Sequence, residues 1–192
     1  ILKSIIKDAY NDGWEDVVYL DIGDNYRFLG DYQKAKYFYK EALKIQQKFY
    51  GDSHRHTSTT FYNLGLVEEF EENYKEAKIL YKKSLGIGKR IYGEENPFNI
   101  WPMIKLGEIN LYEDNFKDAE ELFHKALAIS KKFYSQFDNN SAEILLQLSN
   151  LYYIKEDDDL SYLYSKKALI SDLKFLKETL PFIPIEKREK VL

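Results

Sequence analysis

Imidazole is the scarcest reactive group in this chain: His54, His56 and His124 are its only histidines, and it has no cysteine. His54 and His56 form a His-x-His pair with Asp52 close ahead of them, three side chains that could ligate a metal. A closed zinc site normally needs four ligands, and a polar turn between helices accounts for the same residues. His124 directly follows Phe123 in a helically spaced segment, where a solvated face explains it better than a catalytic base. Without cysteine there is no disulfide framework, thiolate zinc site or cysteine nucleophile, a pattern that fits a reducing compartment. Gly86-Ile87-Gly88-Lys89-Arg90 has the composition of a phosphate loop. It lacks the Gly-x-x-x-x-Gly-Lys-Ser/Thr spacing and the preceding strand. Inside a helix each of its glycines costs about 1 kcal/mol relative to alanine, so a bend or a close contact between repeats is expected there. Asn139-Asn140-Ser141 matches a glycosylation sequon, which we discount because no signal peptide is visible. No catalytic residue, cofactor or metal is expected, and the chain reads as a non-enzyme.

Chemistry being sparse, the elements carry the information, and they repeat. Gly23, Gly65, Gly107 and Ser149 lie 42 residues apart, as do Ala35, Ala77, Ala119 and Ser161. The same offset links Tyr39, Tyr81 and Phe123, and links Ala42, Ser84, Ala126 and Ala168. Tyr50-Gly51, Tyr92-Gly93 and Tyr134-Ser135 keep the period in the connections. A period in this range marks stacked supersecondary units, which usually hold another chain rather than catalyse. Hydrophobic residues at 44% suffice for a continuous core, and the 17 Tyr and 12 Phe fill gaps that small residues open between helices. The net charge of −4 argues against nucleic acid, whose binders carry a basic footprint. No apolar run reaches the ~18 residues of a spanning helix, so no membrane partner is expected, and a cytoplasmic location is. Ile rather than Met at position 1 reads as a fragment or a processed product.

Each period reads as two helices. Tyr19, Ile22, Gly23 and Tyr26 precede a turn at Gly30-Asp31, and Tyr32, Ala35, Tyr39, Ala42 and Leu43 follow it. These steps of three and four mark helices with one buried stripe. Equivalent turns fall at Glu71-Glu72-Asn73, at Asp114-Asn115 and at the acidic Glu156–Asp159. Their Asp, Asn and Gly residues tolerate a left-handed backbone or cap the next helix. The small residues let two backbones approach, and the aromatic four residues after each Ala wedges against the neighbouring helix. Enlarging Ala77 is expected to overpack this contact, costing about 1–3 kcal/mol.

The order small residue, Ala, aromatic, Ala resembles the tetratricopeptide repeat (TPR), whose usual period is about 34. The roughly 8 extra residues add about two helical turns, which is similar to the kinesin-light-chain type. Gly51-Asp52-Ser53-His54 and Gly93-Glu94-Glu95-Asn96-Pro97 resemble that type's Gly-x-x-His-Pro opening. The resemblance implies an all-α, right-handed TPR-like helical-hairpin solenoid over residues 14–180, with repeats at about 16–57, 58–99, 100–141 and 142–180. The fourth repeat departs, with Ser161 and Ser165 in place of Ala and an aromatic, and Tyr164 one place off. Residues 1–13 align with the end of an earlier helix or repeat. Residues 181–192 open with Pro181-Phe182-Ile183-Pro184, which resembles the junction after TPR arrays that carry a CHAT domain, a caspase-like peptidase module. That likeness implies a regulatory region for an attached protease, docking onto an effector complex that in some such families is RNA-guided.

In TPR proteins the first helix of each repeat lines the concave groove, and this implies a binding stripe. It comprises Asp21, Asp24, Arg27 and Phe28; Thr59, Tyr62, Asn63, Leu66 and Glu69; Trp101, Lys105, Glu108 and Tyr112; and Glu143, Gln147, Asn150 and Tyr153. Asn63, Lys105 and Gln147 are again 42 apart, where related arrays hold a ligand's backbone or carboxylate. An ordinary mixed surface would contain the same residues. Five acids (Asp21, Asp24, Glu69, Glu108, Glu143) face two bases (Arg27, Lys105). An acidic C-terminal ligand therefore fits poorly, RNA fits worst, and a neutral or basic protein segment with an apolar anchor fits best.

Overall fold

A computed structural model describes residues 14–134 and 139–179. The expectations for residues 1–13 and 181–192 lie outside them. The described residues form eight α-helices, one short 3-10 turn and no strand. The helices are α1 (Glu15–Phe28), α2 (Tyr32–Phe49), α3 (Arg55–Phe70), α4 (Tyr74–Tyr92), α5 (Ile100–Tyr112), α6 (Phe116–Phe133), α7 (Asn139–Ile154) and α8 (Asp158–Thr179). Two compact units divide the chain between Leu106 and Gly107. In the first, α1 packs on α2, α2 on α3 and α3 on α4; in the second, α6 packs on α7 and α7 on α8.

One contact recurs in three hairpins. A Cβ added at Gly23 would lie 2.6 Å from the Tyr39 ring, and one at Gly65 would lie 2.6 Å from the Tyr81 ring. One at Gly107 would collide with the Phe123 ring. Each ring is fully buried and packs against the bare glycine backbone. Ala35, Ala77 and Ala119, one turn ahead of each ring, are fully buried as well. The sequence expectation of close backbones and a wedged aromatic holds in each. The glycine is where the ring docks, so even a methyl group there must displace it.

The fourth hairpin is held differently. Ser149 Oγ donates to the Ser161 carbonyl at 2.9 Å, so two serines pair at the positions that glycine and alanine take elsewhere. Tyr164, offset by one residue, stacks on Tyr152 with centroids 5.4 Å apart.

The turns inside the hairpins share one geometry. Gly30, Glu72, Asp114 and Glu156 all take left-handed φ, between 58° and 76°. The following amide in each case reaches back five residues: Asp31 to Tyr26, Asn73 to Glu68, Asn115 to Asn110, Asp157 to Tyr152, at 2.8–2.9 Å. This is the Schellman closure of a helix C-terminus, and L side chains take that backbone at a penalty of about 1–2 kcal/mol. We therefore expect Glu72→Gly to raise the unfolding free energy by a few tenths of a kcal/mol to about 1 kcal/mol, after the entropic penalty of glycine, as read from a urea midpoint.

The two helical glycines of α4 separate cleanly. A Cβ at Gly88 would run into Asn99 Oδ1, whereas one at Gly86 would meet nothing within 4 Å. Asn99 is fully buried, and its amide donates to the carbonyls of Gly93 and Glu94 at 2.8 and 3.0 Å, so its oxygen is pinned against Gly88. Close contact with the segment that leads into the next repeat thus explains Gly88 alone. Gly88→Ala is expected to destabilise, with about 1–3 kcal/mol of overpacking outweighing the gain in helix propensity. Gly86→Ala is expected to stabilise by up to about 1 kcal/mol. Thermal unfolding of the two variants should shift in opposite directions.

Candidate functional site

The first helices α1, α3, α5 and α7 carry the expected binding stripe. In the first unit, Asp24 Oδ1 accepts the Tyr39 hydroxyl at 2.6 Å and the Asn63 amide at 3.3 Å. Arg27 lies 3.5 Å from the same oxygen and donates through Nε to the Tyr39 hydroxyl at 3.3 Å. One repeat on, Glu69 accepts the Tyr81 hydroxyl at 2.6 Å and Lys105 at 3.1 Å. The tyrosines that dock on glycine through their rings thus fix a first-helix carboxylate through their hydroxyls. Leu66 and Tyr62 are half-buried, and the Tyr62 ring lies 5.6 Å from that of Tyr81. Asp21 is exposed, and Trp101 is 44% exposed at the start of α5.

In the second unit, Gln147 donates to Glu108 and to Glu143, each at 3.0 Å. Asn150 is exposed, and Tyr112 and Tyr153 are about 70% exposed, at 71% and 69%. The three equivalent positions Asn63, Lys105 and Gln147 therefore share one role. Each holds a carboxylate of the preceding first helix, namely Asp24, Glu69 and Glu108. Within each unit the stripe forms a ladder of held acids, Asp24 and Glu69 in the first and Glu108 in the second.

The sequence reading missed the two tyrosine hydroxyls as part of this ladder. Their signal was present, because positions 39 and 81 are Tyr and position 123 is Phe. It also missed the full extent of a pattern at the helix ends. Phe28, Phe70, Tyr112 and Ile154 each end a first helix at the same offset, with exposures of 78%, 55%, 71% and 43%.

The histidine cluster has structural work. His54 caps α3 through Nδ1, which accepts the His56 amide at 3.3 Å. His56 Nδ1 meets the fully buried carboxylate of Asp16 at 2.9 Å. Asp52 accepts from Gln47 at 2.8 Å. Among the described residues no group of three or more His, Asp or Glu is placed to hold a metal. His124 sits edge-on to Tyr164 at 6.2 Å, and Ser141 of the sequon is buried.

Burial, and then the bond to Asp24, push the Tyr39 phenol far above its ordinary value of 10.0. Burial and Glu120 do the same to Tyr152. A raised acid keeps its proton in the fold where the unfolded chain has lost it. The stability this gives is complete below pH 10.0 and falls as the pH rises above it. Unfolding midpoints recorded across that range should drop with pH, and Tyr39→Phe should flatten the slope.

A family model for the tetratricopeptide repeat matches residues 15–90 and 71–132. None of the curated proteins matches the sequence at a significant level. Among solved structures, BtubC (BKLC) from P. vanneervenii superposes with a TM-score of 0.77 at 20% identity. The match covers 85% of this chain and 65% of that one, so this chain spans somewhat less than two thirds of it. A kinesin light chain with nearly identical TPR-like repeats from Podosopora anserina gives a TM-score of 0.72 at 14% identity, covering 92% and 85% of the two chains. MamA gives 0.63 at 19% identity, covering 92% and 89%. At these identities the likeness is one of fold: an all-α solenoid of helical hairpins. No helix among the described residues is long and apolar enough to cross a membrane.

Proposed function

The chain belongs to the tetratricopeptide-repeat family, and on that premise we propose that it is a protein-interaction scaffold whose first helices take a segment of a partner protein. The array over residues 14–180 is the binding body in this reading. Trp101 carries it: a tryptophan is left 44% exposed on the same helix as Lys105, whose ammonium is drawn toward Glu69. Tryptophan is a common hot spot because it offers a large rigid surface at little entropic penalty. Two acids of the first-helix stripe, Asp24 and Glu69, are held in place by tyrosine hydroxyls. An oriented carboxylate favours a neutral or basic segment, with an apolar side chain seated against Trp101. A cytoplasmic setting and an absence of RNA binding go with this chemistry.

Display of random-sequence peptides on the full chain tests the proposal. Selected peptides should combine an aromatic or aliphatic residue with Lys or Arg. Trp101→Ala should weaken them by about 2 kcal/mol or more, roughly thirtyfold, with the helical signal unchanged. Unchanged affinity removes Trp101 as the anchor.

A second reading rests on Pro181-Phe182-Ile183-Pro184, the junction-like sequence after the array. It makes the chain the regulatory region of a CHAT-type peptidase, with the same docking face controlling proteolysis. Sequencing the native transcript beyond Leu192 decides it: a caspase-like His and Cys pair supports it, and a nearby stop codon ends it.

A further inference from the structure

A groove of about 640 Å³ opens in the first unit on the second helices, lined by α4, the end of α2 and one side chain of α3. Its walls join apolar and cationic groups. Ile87 and Phe61 lie buried in its floor, and Ile79 is 47% exposed. Lys82, Lys83 and Arg90 line it, against Asp52 as the one carboxylate among the lining residues. Asp52 is already occupied by Gln47. Arg90 is steadied by Ser53 at 2.6 Å, and Lys83 lies over the Phe61 ring at 5.3 Å.

Gly86 adds a second, independent observation. It lines the groove, lies within a long helix, and nothing of the chain comes within 4 Å of where its Cβ would be. Neither packing nor backbone conformation calls for glycine at this position, and alanine would make the better helix. A helical glycine that stability does not explain is what close approach of another backbone requires.

We propose that this groove is a second docking site, taking an acidic protein segment with one apolar side chain, whose backbone crosses α4 at Gly86. The apolar side chain meets Ile79 and Ile87, and the acids meet Lys82, Lys83 and Arg90. Protein is favoured over RNA because no exposed flat ring lines the groove for a base to stack on; Phe61 is only 9% exposed and capped by Lys83. The site is separate from the first-helix face in position and in charge.

The same display of random-sequence peptides separates the two sites. A second class of peptides, rich in Asp and Glu around one apolar residue, should emerge and should survive Trp101→Ala. Its affinity should fall about tenfold or more in the Lys82→Ser/Lys83→Ser double variant, and fall with added salt. Gly86→Ala should weaken the same peptides about tenfold while raising the melting temperature, an outcome that damage to the fold would not produce. Several results overturn the proposal: no acidic class, full affinity in the lysine variant, or full affinity in Gly86→Ala. Capture of an oligouridine probe in place of peptides also overturns it, as does self-association in sedimentation that the lysine variant abolishes.

Discussion

Tyr81→Ala is expected to lower the unfolding free energy by about 3–5 kcal/mol, measured by urea titration. Two losses combine. The ring is fully buried against the backbone of Gly65, and its removal leaves a cavity that rigid helices close poorly. The hydroxyl also bonds Glu69 at 2.6 Å, and that part is read separately by Tyr81→Phe, at about 1 kcal/mol. The reciprocal change, Gly65→Ala, is expected to cost about 1–3 kcal/mol, because its methyl would intrude on the ring. The two sites are in contact, so their effects should not add. Gly65→Ala combined with Tyr81→Leu should be less harmful than the sum. Full additivity would mean that the ring and the glycine do not depend on each other.

His56→Ala is expected to cost about 3–5 kcal/mol, the range for stripping a buried charge of its partner. Asp16 is 1% exposed and Gln46 is fully buried. The Asp16 carboxylate is met by His56 at 2.9 Å and by Gln46 at 3.3 Å. The Gln46 oxygen in turn accepts from Thr60 at 2.7 Å. Deleting the imidazole leaves a carboxylate in the interior with one long bond. Neutralising it in the double variant Asp16→Asn/His56→Ala should return a substantial part of the loss, because a neutral amide is far less costly to bury. If the double variant is no more stable than His56→Ala, the cost lies in packing and not in charge.

The hairpins were legible in the sequence because repetition encodes them at one offset. A glycine, an alanine and an aromatic recurring every 42 residues predict close helices, and Gly65 with Tyr81 behaves accordingly. The carboxylate ladder was not legible, because its rungs break that offset. Asn63 reaches Asp24 and Gln147 reaches Glu108 across 39 positions, and Lys105 reaches Glu69 across 36. Each donor contacts the previous first helix one or two turns further along, a shift that only the three-dimensional packing supplies. Gly86 and Gly88 looked alike for the same reason. Nothing in the local sequence says that one faces Asn99 and the other an open groove. His56 was read as part of a polar turn between helices because its partner Asp16 lies 40 positions away.

The central claim is that a partner segment lies along the first helices with its anchor at Trp101. The direct measurement is the affinity of one selected basic peptide for the unaltered chain and for Trp101→Ala, titrated side by side with Lys82→Ser/Lys83→Ser. The account predicts a roughly thirtyfold loss in Trp101→Ala and no loss in the lysine variant. Equal binding to all three chains, or a loss confined to the lysine variant, would contradict it.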